Sequence, residues 1–181
     1  MFKKIFFTIF IFFNIVALAY LFIPTPSLKD LPNSVKSTEP GDTVQLKNVA
    51  GYYTNLSRTE VMNFYRSIYF APLFVRLNHP PELSKTIFKD TMQSYYLEEF
   101  YLPFKESLYI NGYEWENDVF TAPEKRVKNK LIYENKEYRS KITIRTIPTS
   151  IFQRLLAFVI IEGSIISIYY IYKRIFSKHE K

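Results

Sequence analysis

Hydrophobic positions concentrate in two long blocks near the ends of this chain, with short periodic runs between them. The first block is Ile5–Ile23 and the second covers about Leu155–Tyr172. Either is long enough to cross the ~30 Å hydrocarbon core of a bilayer as a helix. Between them, Ser57-Arg58-Thr59-Glu60 has the pattern of a capping box. Val61, Phe64, Tyr65 and Ile68 follow at i, i+3, i+4 and i+7, which predicts a helix over about 58–70 that Pro72 stops. Pro81 suits a first helical turn and predicts a second helix reaching about Asp90. Tyr95–Tyr101 predicts a third helix, before Pro103.

The remaining runs read as strands, the first a short one near Val49–Thr54. Lys105–Ile110 and Tyr113–Phe120 flank Asn111-Gly112, a dipeptide suited to the positive φ angles of a type I′ turn, so a hairpin is expected there. A second hairpin joins Lys130–Glu134 to Glu137–Ile147. In its last strand Tyr138, Ser140, Ile142 and Ile144 alternate with Arg139, Lys141, Thr143 and Arg145, giving one buried face and one basic face. The expected fold is α+β: an antiparallel sheet with helices on one face, flanked by two transmembrane α-helices. The expected divisions are a tip at 1–4, a first span at 5–23, an extended tether at 24–48 rich in Pro, Ser and Lys, a domain at 49–150, a second span at 151–173 and a basic tail at 174–181.

Charge sets the orientation. The net charge is +7, but the 24–150 loop holds 17 Lys/Arg against 15 Asp/Glu and so contributes little of it. Lys3 and Lys4 precede the first span; Lys173, Arg174, Lys178 and Lys181 follow the second. Short basic flanks stay cytoplasmic, so both termini are expected on the cytoplasmic side and the domain outside. Tyr169, Tyr170 and Tyr172 fit an inner aromatic belt, Tyr20 and Phe22 an outer one. Nucleic acid is not an expected partner, because the domain lacks a basic surplus of its own. Ala17-Leu18-Ala19 resembles a signal-peptide cleavage site, yet the apolar run continues through Ile23, so an uncleaved anchor is expected. With no cysteine, neither disulfides nor a thiolate metal site can form.

Four stretches carry a resemblance: 32–43 (PNSVKSTEPGDT), 52–58 (YYTNLSR), 77–82 (LNHPPE) and 106–112 (ESLYING). Over about 32–148 the chain resembles an uncharacterised family of two-span envelope proteins from candidate-phyla bacteria with small genomes. The resemblance implies a bacterial inner-membrane location. It brings no activity, cofactor or catalytic residue.

Glu162 is the most suggestive single residue. A carboxylate at the bilayer centre costs about 2.5–3.5 kcal/mol on insertion scales and usually faces another helix or a wet cavity. Asn14 is the midpoint of the first block and lies at the same depth in an antiparallel pair. Ala17 is one turn away, and Gly163 with Ser167 has small-xxx-small spacing, so both helices permit close approach. A hydrogen bond from Asn14 to Glu162 is expected, holding the two spans together or holding a partner's span.

Other candidates carry less. Glu114, Glu116 and Asp118 alternate along an expected strand and read as a solvated face, with oxygen ligation of Ca²⁺ the alternative. Glu98, Glu99 and Glu106 could supply a glycosidase acid pair, but adjacent Glu98 and Glu99 read more simply as helix surface. His79 is the one histidine outside the expected spans and tails; a triad would need it with Ser94 or Ser107, and neither serine sits in a nucleophile elbow. Asn55-Leu56-Ser57 matches a glycosylation sequon, although capping accounts for Ser57. Arg139, Lys141 and Arg145, beside the basic run Lys125–Lys130, form an expected anion or partner face. The function expected is a non-enzymatic structural or interaction subunit of the envelope. It uses no cofactor, and its partners are the lipid bilayer and a membrane protein or a second copy. The alternatives are an envelope enzyme acting on lipid or glycan through Glu98, Glu99 or His79, and a small oligomeric transporter using Glu162.

Overall fold

Both apolar blocks form single helices, α1 (Phe2–Phe22) and α4 (Ile151–Phe176). At 1.5 Å per residue these are about 32 and 39 Å long, and both are long and apolar enough to cross a membrane. α4 opens on a capping box of its own: Ser150 Oγ accepts from the Gln153 amide at 3.3 Å while Gln153 Oε1 accepts from the Ser150 amide at 2.9 Å. The computed structural model describes residues 2–40, 48–69, 73–88 and 94–176. Pro72 as a helix stop, Asp90 as a helix end, the 41–47 part of the tether and the tail tip with Lys178 and Lys181 lie outside the described residues. The chain divides into two compact units, the helices in one and residues 25–148 in the other.

The 25–148 unit is α+β. Six strands form one antiparallel sheet in the order β1 (Ser34–Lys36), β2 (Val49–Thr54), β8 (Ser140–Pro148), β5 (Glu106–Glu114), β4 (Tyr96–Leu102), β3 (Val75–His79). A separate hairpin pairs β6 (Leu131–Tyr133) with β7 (Lys136–Tyr138). The helix α2 (Arg58–Ile68) starts where its sequence predicts. Ser57 Oγ accepts from the Glu60 amide, and Glu60 Oε2 accepts from the Ser57 amide at 2.8 Å. Val61, Met62 and Tyr65 are buried, and Phe64 and Ile68 pack at the margin. Against them lie Ala50, Tyr52, Tyr96, Phe100, Leu102, Leu108, Ile110, Ile142 and Ile144. Strand side chains alternate between faces, so this set defines one face of the sheet.

Several expectations need correction. Tyr95–Tyr101 is not a helix but lies mostly in β4. In a strand, adjacent Glu98 and Glu99 point to opposite faces, and each finds its own polar partners there. Asn111-Gly112 is not a turn, because β5 runs straight through it. Gly112 is required by packing: a Cβ there would lie 2.1 Å from Tyr96 Cζ. The chain reverses earlier, at Pro103-Phe104-Lys105, where Phe104 has φ 60° and the Lys105 amide bonds Leu102 O at 2.9 Å. The second hairpin is present but turns one residue earlier than expected, through Glu134 and Asn135 at φ 50° and 61°, with Lys136 already in β7. Its long last strand is split after Tyr138, with β7 serving β6 and β8 joining the main sheet.

Helices are not confined to one face. The stretch from Pro81 is a short 3₁₀ turn (Pro81–Leu83) followed by α3 (Ser84–Ile87). Ser84 Oγ donates to Asn111 Oδ1 at 3.0 Å. Asn111 alternates with Ile110, so α3 covers the face opposite α2. Nor is the start of the tether loose: Leu31 is buried, Leu28 packs on the core, Tyr52 donates to Asp30 at 2.6 Å, and β1 extends the sheet.

Candidate functional site

The helix pair carries the first set of site residues. α1 and α4 contact one another. Arg154 Nη1, in the first turn of α4, donates to the carbonyl of Leu21 at the end of α1, at 3.2 Å. A guanidinium at a helix C-terminus also meets the negative end of its dipole. Counted from that contact, Asn14 lies about 10.5 Å along α1 and Glu162 about 12 Å along α4. Phe10, Asn14, Ala17 and Leu18 on one helix, and Leu155, Phe158 and Glu162 on the other, are partly covered. They recur at helical spacing, one stripe on each helix, and Asn14, Ala17 and Glu162 belong to these stripes. The expected Asn14–Glu162 hydrogen bond is not formed; the Asn14 amide instead donates to Phe10 O in its own helix at 3.0 Å. An amide four residues above a helix carbonyl reaches it without moving a backbone. Among the described residues, Glu162 has no hydrogen-bond or ion-pair partner. Gly163 and Ser167 fall on the open side: both are exposed, nothing lies within 4 Å of a Cβ built on Gly163, and Ser167 Oγ donates to Gly163 O at 2.7 Å.

The basic face of β8 is occupied from within. Lys141 Nζ bonds Glu39 at 2.8 Å and lies 5.3 Å over the Tyr53 ring. Arg145 donates to the carbonyl of Ile87 beside α3. Arg139 stands 3.8 Å from buried Glu114. Burial works to raise the Glu39 pKa, but the hydrogen bonds from Lys141 and Tyr53 outweigh it and hold it below the usual range. Tyr53 is pushed up to about 12 by burial and by its bond to Glu39.

The acidic and histidine candidates are scattered. Glu98 faces α2 and Glu99 the other face, so they cannot act as a pair across one bond. Glu99 stands between the triad candidates: it accepts from Ser107 Oγ at 2.6 Å and pairs with His79 Nε2 at 2.8 Å. A serine hydrolase needs the imidazole on the serine; here the carboxylate separates them. Ser94 is buried and bonded to Asn111 at 2.7 Å. Glu114, Glu116 and Asp118 do not form a solvated strand face, because a 3₁₀ turn (Trp115–Asn117) intervenes. Glu114 and Asp118 are buried, the first bonded to Asn117 and the second to the Phe120 amide. Among the described residues no group of three metal-ligating side chains converges. Asn55 of the sequon accepts from the Arg139 amide, and Ser57 is the cap of α2.

One constellation has no counterpart in the sequence reading. Glu98, with no exposed surface, lies between two guanidiniums. Arg58 Nε from α2 bonds its Oε1 at 2.7 Å, and Arg76 from β3 takes both oxygens. Arg58 Nη2 also donates to Asn78 Oδ1 at 3.0 Å, and its guanidinium stacks 4.7 Å over Tyr96. Burial alone would raise the Glu98 pKa; the bonds from Arg76 and Arg58 prevail and lower it. Beside this cluster, where β3 ends and β4 begins, opens a cavity of about 350 Å³ lined by Arg58, Asn78, His79, Pro80, Pro81, Tyr95 and Tyr96. The alternation in Val75-Arg76-Leu77-Asn78-His79 was the available signal for β3, and with it for Arg76.

No family model matches the chain, and neither the curated proteins nor the solved structures contain a match.

Proposed function

We propose that this chain is a non-enzymatic integral membrane protein of the bacterial inner membrane, with two antiparallel spans, both termini cytoplasmic and the 25–148 domain outside. It acts as an interaction subunit whose helix pair engages a further span, from another membrane protein or a second copy. The observation that carries this reading is Glu162: a carboxylate on the covered stripe of a helix pair, without a partner among the described residues, on helices otherwise apolar and exposed. In hydrocarbon an unpaired carboxylic acid is costly, and a donor from a further helix relieves that cost. The open side of α4, with Gly163 and Ser167, admits a helix at close range.

The test is co-purification from crosslinked native membranes, with mass spectrometry of everything retained, for the wild type, Glu162→Gln and Glu162→Leu. The expected result is a defined partner, or a second copy, at fixed stoichiometry, kept by the glutamine variant and lost by the leucine one. Recovery as a lone monomer refutes the subunit reading. Identical behaviour of the two variants removes Glu162 from it. Because the chain has no cysteine, single introduced cysteines and an impermeant thiol reagent read the sidedness of the domain directly.

A further inference from the structure

We propose that the cavity at the end of β3 binds a small organic carboxylate, with the anionic group on Arg58 and an apolar body against Pro80, Pro81 and Tyr95. The inference is independent of whether the helices cross a membrane.

Three observations carry it. The first is the sign of the lining, whose described residues are one arginine, one histidine, one asparagine, two prolines and two tyrosines, with no carboxylate among them. The acids behind it, Glu98 and Glu99, are buried, at 0% and 7% exposure. The second is charge balance. Two guanidiniums have the single carboxylate of Glu98 between them, on side chains that remain 34% and 45% exposed, while the neighbouring Glu99 is taken up by His79 and Ser107. A monoanion supplies a second counter-charge. The third is donor geometry. Arg58 spends Nε and Nη2 on Glu98 and Asn78; Nη1 makes no hydrogen bond among the described residues. A guanidinium has five N–H donors in a fixed fork, so Nη1 presents two of them from a side chain already held in place by Glu98, Asn78 and the Tyr96 ring. An anion placed there pays little ordering entropy. The volume lies at the small end of the roughly 300–1,000 Å³ typical of ligand sites. That selects a small body with one flat or branched apolar group.

The experiment uses the full chain in detergent, with histidine ¹³C-labelled at Cε1. The chain has two histidines, so His79 reports on the cavity and His179 serves as the internal control. The probes are N-acetyl-L-phenylalanine and its uncharged amide. A saturable shift of the His79 signal at millimolar acid, with His179 still and the amide inert, is the expected result. Arg58→Lys retains a cation for Glu98 but loses the fork, and is expected to weaken binding roughly ten- to a hundredfold, the range of one charged hydrogen bond. Tyr95→Ala leaves the Glu98 cluster intact and is expected to weaken it severalfold. Equal shifts from acid and amide, no saturable shift from the acid, or full affinity in Arg58→Lys each overturn the proposal.

Discussion

Gly112→Ala is the sharpest test of the packing described above. A Cβ at residue 112 would stand 2.1 Å from Tyr96 Cζ and 2.2 Å from Cε1. Carbon atoms pack at about 3.5–4.0 Å, so the ring must retreat by about 1.5 Å. Tyr96 is 1% exposed and hemmed in by the α2 core on one side and the Arg58 guanidinium on another. Overpacking of this kind costs typically 1–3 kcal/mol. The required shift places this substitution at the top of that range, about 3 kcal/mol, or more than a hundredfold in the folding equilibrium. The assay is urea unfolding of the full chain in detergent, followed through the single tryptophan, Trp115, three residues beyond the site. The cause is isolated by repeating the substitution in a Tyr96→Ala background. With the ring gone, Gly112→Ala should cost close to nothing, since alanine carries no special penalty in a strand. The coupling energy between the two sites is then most of the ~3 kcal/mol, at the upper end for residues in contact. A neutral Gly112→Ala, or a cost that survives removal of the ring, refutes the account.

Three further outcomes follow from the buried polar groups. Glu98 has its pKa held below the ordinary 4.5, so its contribution to stability is complete above that value and is lost as pH falls through the folded pKa; Glu39 acts with the same sign. The urea midpoint should therefore drop from about pH 6 toward about pH 3, and Glu98→Gln should flatten that slope. At neutral pH Glu98→Gln should cost roughly 2–4 kcal/mol, below the ~3–5 of a fully buried pair because both arginines keep solvent contact. Tyr69→Phe removes the hydroxyl that donates to buried Glu106 at 2.8 Å and should cost about 1–3 kcal/mol. Tyr65→Phe removes a buried hydroxyl with no hydrogen-bond partner and should be neutral or stabilising; the reverse ranking of the two variants would contradict these contacts.

The elements legible from the sequence are those whose cause is local. α2 announces itself through Ser57, Glu60 and the Val61–Tyr65 spacing, because a capping box and one turn of helix fall within eight residues. β8 announces its buried face by alternation. β4 misled because two adjacent glutamates look like a solvated helix surface when no partner is in view. Asn111-Gly112 misled because a glycine that makes room for a ring and a glycine that makes a turn are the same letter. The choice between them depends on Tyr96, which pairs with Gly112 only once β4 and β5 are aligned.

The same distinction governs the sites. Several polar residues singled out in the sequence have partners far away in the chain. Lys141 finds Glu39 across 102 residues, and Arg58 finds Glu98 across 40. A basic strand face read one strand at a time shows only its charges; in the fold Lys141 meets Glu39, Arg145 the Ile87 carbonyl, and Arg139 stands 3.8 Å from Glu114. The same holds for Arg58: read locally it is the residue after a helix cap, and in the fold it shares the carboxylate of Glu98 with Arg76. Charge left over after internal pairing, rather than charge density along the chain, is what marks a surface able to bind. By that measure two places stand out among the described residues, the Arg58 side of the cavity and Glu162 on α4. The first is a guanidinium that shares its carboxylate and faces an opening with no acid among its described lining. The second is an acid on an apolar helix with no donor among the described residues, and both invite a ligand that supplies what the described residues do not.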